Sequence, residues 1–196
     1  MKIVIFGGSF NPIHSAHISI ARKVYNELKP SKFFFVPTYK HPLKKDVPFL
    51  PYDKRCYLVK KAIQDLPMFD ISYLDKNETE PSYTFNLIKR FKKLFPNAIF
   101  YFIIGEDIIY ELTLWYNYKW LLKNIKFVVL TRPTKDKKSA IPDFAKEFIY
   151  INIKPINISS TFIREKIKKG ESIKNLVPPN IEKDVIKFYS SFLSNK

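Results

Sequence analysis

A chain of 196 residues with 46% hydrophobic and 27% charged side chains has the length and composition of one large soluble globular domain with a full core. No stretch is apolar enough to span a bilayer, no charged-apolar-small leader precedes the first strand, and the single Cys56 excludes an internal disulfide, so a cytoplasmic protein is expected. The net charge of +16, from 34 Lys and Arg against 18 Asp and Glu, favours anionic partners, either small phosphorylated molecules or nucleic acid; the lysines fall in scattered pairs without an arginine-rich arm, as on a solvated surface.

Lys2 to Phe6 is a short apolar, β-branched run that predicts a buried first strand, stopped by Gly7 and Gly8. Ser9-Phe10-Asn11-Pro12-Ile13-His14-Ser15-Ala16-His17 follows, and then Ile18, Ala21, Val24, Tyr25 and Leu28 fall on one helix face. A strand, a glycine turn and a helix start thus lie within one loop, which in a parallel sheet opens at the carboxyl edge where ligands bind. The helix start offers unpaired N–H groups to an anion, and His14 and His17, three residues apart, add donors on the same side; phosphate is the expected guest. A bland alternative is a glycine turn with two solvating or capping histidines. Zinc is disfavoured, because H-x-x-H lacks the i, i+4 spacing of H-E-x-x-H and Cys56 is the only cysteine, so no metal held by protein side chains is expected.

Lys32 to Val36 is a second buried strand, ended by Pro37 and followed by a proline-rich loop to residue 51 carrying Lys40, Lys44 and Lys45. That loop reads equally as a basic wall of the same sheet edge or as a plain connector. Asp53 is expected to cap a helix whose core face includes Cys56, Leu58, Val59, Ala62 and Ile63. Phe69 to Leu74 alternates as a strand, and Pro81-Ser82-Tyr83-Thr84 leads into a helix through Leu87, Ile88 and Phe91. Ala98 to Ile104 is the clearest strand, ending in Gly105-Glu106-Asp107. Asp107 can accept from ribose hydroxyls there, or cap the short helix that follows. Trp115 reads as an exposed indole between two short helices, with Trp120, Leu121 and Leu122 as core. Phe127 to Leu130 and Tyr150 to Ile153 are further strands. Ser159-Ser160-Thr161 opens a helix ended by Gly170, with more hydroxyls than one N-cap needs, and Pro178-Pro179 opens a terminal helix. Alternating strands and helices predict an α/β fold, a Rossmann-like, mostly parallel sheet with helices on both faces.

The string Gly7-Gly8-Ser9-Phe10-Asn11-Pro12 with His14 and His17 resembles the nucleotidyltransferase signature G-x-F-[DN]-P-x-H-x-[GA]-H. With Pro81-Ser82-Tyr83-Thr84-Phe85, Gly105-Glu106-Asp107, Trp115-Tyr116, Arg132-Pro133 and Ile158-Ser159-Ser160-Thr161 through Arg164, the chain resembles the bacterial nicotinate-nucleotide adenylyltransferases over nearly its whole length. One departure is His41-Pro42-Leu43-Lys44, where that family usually reads Pro-Pro-His-Lys.

The resemblance implies transfer of AMP from ATP to nicotinate mononucleotide, with magnesium carried on the triphosphate. It implies one nucleotidyltransferase domain over residues 1–196, of which 155–196 form a helical part completing the ATP site. By that likeness Gly7, Gly8, Ser9, Phe10, His14, His17, Ser160 and Arg164 hold the triphosphate, with His14, His17 and Arg164 acting in catalysis. Gly105, Asp107, Arg132 and Ile158 surround the adenosine, and Lys44, Thr84, Trp115 and Tyr116 hold the nicotinate nucleotide. No membrane partner is implied, nucleic acid is the weaker alternative kept open by the charge, and a homo-oligomer is compatible with the sequence. A nicotinamide mononucleotide or dual-specificity enzyme is the nearest alternative. Pantetheine-phosphate adenylyltransferases share the first motif, but they normally carry threonine where His14 stands and lack the Trp115 cluster.

Overall fold

The computed structural model describes residues 1–40, 49–131 and 140–194. Its centre is a six-stranded, all-parallel sheet of β1 (Lys2–Gly8), β2 (Lys32–Pro37), β3 (Asp70–Ile71), β4 (Ile99–Gly105), β5 (Lys126–Thr131) and β6 (Ile149–Asn152). The spatial order β3-β2-β1-β4-β5-β6 is the doubly wound Rossmann order, as the alternation of strands and helices predicts.

Both faces of the sheet are covered, which explains why its strands read as nearly unbroken apolar runs. On one face Val4, Phe6, Phe33, Phe35, Tyr101, Ile103, Val128 and Leu130 pack with α1 (Ser15–Leu28), α2 (Tyr52–Ala62), α6 (Ser160–Lys168) and α7 (Glu182–Ser194). Their alternating neighbours Ile3, Ile5, Phe34, Phe100, Phe102, Ile104, Phe127 and Val129 pack on the other face. There they meet α3 (Thr84–Leu94), α5 (Tyr118–Asn124) and the short α4 (Ile108–Glu111). Each fully buried Phe or Ile in these layers contributes about 1.5–3 kcal/mol by leaving water. Among the described residues no helix is long and apolar enough to cross a membrane.

The winding reverses between β1 and β4. Their register runs from Lys2 opposite Ile99 to Ile5 opposite Phe102, and each strand then continues for three more residues, to Gly8 and Gly105. The carboxyl ends of these two strands frame the topological switch point, where ligands of such sheets sit.

Four local expectations are corrected. β1 is not stopped by Gly7 and Gly8 but runs through both, opposite Val36 and Pro37. The third strand spans only Asp70–Ile71, because after Ser72 donates to the Phe35 carbonyl at 2.9 Å the chain turns to bury Asp75. α2 begins at Tyr52 with Pro51 before it, so Asp53 lies inside the first turn and does not cap. Trp115 is half-buried, edge-on to Phe102 and Phe127, and Trp120 is only partly buried.

Candidate active site

The β1–α1 loop owes its shape to Phe10 rather than to a glycine. Phe10 takes φ 43, the left-handed region that side chains seldom enter, and its buried ring folds back under Gly8. A Cβ on Gly8 would lie 3.1 Å from that ring, and one on Gly7 would lie 3.2 Å from Phe102. A side chain at either position would thus press on an aromatic ring inside the protein, whatever binds outside.

The chain next crosses a cis Asn11–Pro12 bond and enters α1. His14 occupies the N-cap position in extended conformation, and the His17 ring stacks on it with centroids 3.7 Å apart and planes 24° apart. The His14 backbone N–H donates to His17 Nδ1 at 3.2 Å. His17 is also held edge-on by Phe10 and Phe6, at 5.0 and 5.9 Å between centroids. Burial pushes the His14 imidazole down to about 4, and burial together with the neighbouring His14 lowers His17 well below the usual range. Both rings are therefore neutral at pH 7. With Nδ1 of His17 accepting, its proton resides on Nε2, which makes it a donor; Nδ1 of His14 is buried and has no hydrogen-bond partner among the described residues.

The carboxyl-terminal helices fasten this loop. Ser160 Oγ donates to the Pro12 carbonyl at 2.8 Å, and Arg164 Nη1 donates to the Asn11 carbonyl at 2.7 Å. Arg164 Nη2 reaches Thr161 Oγ1 at 3.1 Å, while Ser159 caps α6 by accepting from the Phe162 N–H at 3.1 Å. The three consecutive hydroxyls thus have three separate tasks. Ile158, half-buried, packs just before them against the same core.

Across the switch point, Gly105 ends β4 in open space, with nothing within 4 Å of where a Cβ would stand. Asp107 sits at the N-cap of α4 without a side-chain capping bond, so capping does not account for it. Thr84 opens α3, whose first N–H groups lack intrahelical acceptors. Tyr116 lies beside it, its half-exposed ring 5.1 Å from Tyr83 and 5.4 Å from Phe85. Lys44 and Arg132 lie outside the described residues. A cavity lined by Ser19, Ile20, Lys23, Asn152, Ile153, Lys154, Pro155 and Ile156 contains none of the predicted site residues.

The sequence reading assigned no buried structural role to three residues of this region. Asn11 is buried, and its Oδ1 accepts from the Leu50 N–H at 3.1 Å and the Tyr189 hydroxyl at 2.7 Å. Arg55 is buried and donates to the carbonyls of Leu50, Ser9 and Thr38. Asp75 is buried and accepts from the Tyr39 N–H. Asn11 stands at the [DN] position of the first motif, and Arg55 shares the helix face of Leu58, Val59 and Ala62, where a cation is out of place.

A parallel sheet with an anion-ready helix start at its switch point, closed by an arginine from a later helix, defines a nucleotide-binding transferase. Residues 5–166 match the cytidylyltransferase-like family, and the chain belongs to it. A curated protein of Staphylococcus epidermidis (strain ATCC 12228 / FDA PCI 1200), named "probable nicotinate-nucleotide adenylyltransferase", is 41% identical over 181 residues, covering 92% of either chain. Two solved structures of Plasmodium falciparum nicotinic acid mononucleotide adenylyltransferase, complexed with NaAD and with APC, share the fold with TM-scores of 0.77 and 0.75. Both are 24% identical to this chain and cover 97% of it, at 97% and 96% of their own lengths.

Proposed function

We propose that the protein transfers AMP from ATP to nicotinate mononucleotide, giving deamido-NAD and pyrophosphate in NAD biosynthesis. The observation that carries this reading is the union at one switch point of two stacked neutral histidines, the Gly8–Phe10 loop and Arg164 bonded to that same loop.

The phosphate of the mononucleotide attacks the α-phosphorus of ATP, one P–O bond forms, the bond to the bridging oxygen breaks, and pyrophosphate leaves. No side chain becomes covalently attached, so the protein acts by alignment and by dispersing charge. His17 Nε2–H and the amides at the loop and helix start donate to the triphosphate. Arg164 has five N–H groups, and those beyond its bonds to Asn11 and Thr161 are available to the leaving phosphates. Gly105, Asp107, Ile158 and Arg132 are assigned to the adenosine. Thr84, Trp115, Tyr116 and Lys44 are assigned to the nicotinate nucleotide. Residues 155–196 complete the ATP side of the single domain. The groups at the site are imidazole, guanidinium, amide and hydroxyl donors, suited to phosphate oxygen; Mg2+, which prefers carboxylate and water oxygen, is assigned to the triphosphate it arrives with.

Nicotinate carries a carboxylate where nicotinamide carries an amide, and N–H donors at Thr84 and Tyr116 favour the acid. Two charge-assisted hydrogen bonds at about 1.5–3 kcal/mol each set an expected kcat/KM preference of at least about a hundredfold. The test is ATP-dependent pyrophosphate release with each mononucleotide, beside RNA binding at several salt concentrations. Release with nicotinate mononucleotide at the stated preference supports the reading. Equal kcat/KM for the two mononucleotides overturns the acid selectivity, and salt-sensitive RNA binding without release overturns the enzyme assignment.

A further inference from the structure

Two buried ionisable side chains that none of the assignments above uses stand on either side of one short segment, Thr38–Tyr39, which leaves the end of β2. Arg55 is 2% exposed and Asp75 is 5% exposed. Burying such groups is costly unless each is used, and both are. Arg55 lies against the rings of Phe49 and Tyr52, its Cζ 5.6 Å from each centroid. It spends Nε on the Leu50 carbonyl at 2.9 Å, Nη1 on Ser9 at 2.6 Å and Nη2 on Thr38 at 2.8 Å. One rigid guanidinium thereby ties the triphosphate loop to the chain that follows β2.

The next residue belongs to the other half of the site. Asp75 Oδ2 accepts from the Tyr39 N–H at 2.7 Å, and the neighbouring Ser82 hydroxyl favours its ionised form. The Lys40 N–H donates to Ser82 Oγ, and the Ser82 N–H donates to the Lys40 carbonyl, both at 2.9 Å. Ser82 lies two residues before Thr84, the first residue of α3. The Thr38 N–H itself donates to the Gly8 carbonyl at 2.9 Å, so the link runs from Gly8 and Ser9 through Thr38 to Tyr39, held by Asp75, and Lys40, held by Ser82.

We propose that Arg55 and Asp75 are paired positioning residues that set the distance between the ATP loop at Gly8–Ser9 and the acceptor loop at Ser82–Thr84 through the shared segment Thr38–Tyr39. This rests on the adenylyl-transfer reading, because the spacing has meaning only where two phosphates are brought into line. A displacement of about 1 Å between reacting groups can cost about a hundredfold in rate. Neither side chain touches a nucleotide in this scheme; each acts through backbone that does.

The experiment uses the full-length enzyme with Arg55→Lys, Arg55→Met, Asp75→Asn, Ser82→Ala and the Arg55→Lys/Asp75→Asn double variant. kcat and both KM values are measured well below each melting temperature and referred to folded protein. Arg55→Lys keeps a cation within reach of the carbonyls but loses the planar fork, and is expected to lower kcat about tenfold while KM for ATP stays within threefold, since His14, His17 and Arg164 are intact. Arg55→Met is expected to fall further, so that lysine is a partial rescue. Asp75→Asn and Ser82→Ala are expected to raise KM for the mononucleotide and leave KM for ATP unchanged. The double variant is expected to lose less than the product of the single losses, because both act on one segment. Should Arg55→Met fail to fold, Ser82→Ala decides, since it breaks the link without leaving a buried charge. Variants with lowered melting temperature but wild-type kcat and KM overturn the inference and leave the pair a fold-stabilising contact. Wild-type enzyme that releases no pyrophosphate with either mononucleotide instead removes the functional reading, and this inference with it.

Discussion

His17 can offer a phosphate only one kind of contact. Its Nδ1 accepts from the backbone of His14 and its ring is held neutral by burial, so Nε2–H donation is what remains. His17→Ala is expected to lower kcat by roughly a hundredfold, as when one preorganised donor is deleted, with turnover referred to folded protein because the ring also packs on Phe6 and Phe10. Near wild-type turnover would remove His17 from the triphosphate site. His14 carries a second consequence. The unfolded imidazole takes up its proton near 6.5 and the folded one only near 4, so between those values the unfolded state holds more protons and stability falls as pH falls. The loss amounts to about 3 kcal/mol between pH 7 and pH 4, with His17 acting in the same direction. Denaturant unfolding at a series of pH values should show a steeper acid loss for wild type than for His14→Gln. Equal slopes would mean that His14 is not the buried neutral group described.

At the scale of elements, the ends of β1 and β4 differ in why they carry glycine. Gly7 and Gly8 are walled in by Phe102 and Phe10, whereas Gly105 faces open space and takes no left-handed φ. Gly105→Ala is therefore expected to fold with a melting temperature close to wild type. It is also expected to raise KM for ATP several-fold, because the added methyl group would meet only the adenosine assigned there. An unchanged KM would take Gly105 out of the nucleotide contacts. This distinction was not legible in the sequence, where all three glycines end an apolar run in the same way. The strands and the α1 motif were legible, because burial on both faces leaves an unbroken apolar run and a helix start leaves its own spacing. β3 was overread, since Ser72, Tyr73 and Leu74 keep the alternation after the chain has left the sheet toward Asp75. Asp53 looked like a cap because aspartate is a common N-cap residue, although the helix starts one residue earlier, at Tyr52 behind Pro51.

Across the whole molecule, the β1–α1 loop near the amino terminus is bonded to residues near the carboxyl terminus, and sequence separation hid those pairings. Tyr189 and Asn11 are 178 positions apart, yet they meet at 2.7 Å in the buried core. Burial pushes the Tyr189 phenol upward, so it stays protonated and donates to Asn11 Oδ1. The same asparagine presents its carbonyl to Arg164, and Ser15 at the start of α1 donates through its N–H to the Leu176 carbonyl at 2.9 Å. Tyr189→Phe removes one hydroxyl and leaves the ring packing intact. Asn11 Oδ1 keeps the Leu50 N–H, so the variant does not strand an acceptor, and the loss is that of one hydrogen bond, about 1 kcal/mol. For a chain of this size that lowers the melting temperature by about 2–4 °C. If α6 and α7 serve only as cover for the sheet, nothing more should follow. If they hold Asn11 so that Arg164 and the loop meet the triphosphate together, Tyr189→Phe should also raise KM for ATP a few-fold while leaving KM for the mononucleotide unchanged. Thermal unfolding and separate substrate titrations distinguish the two, and a lowered melting temperature with both KM values unchanged would confine the carboxyl-terminal helices to a scaffolding role.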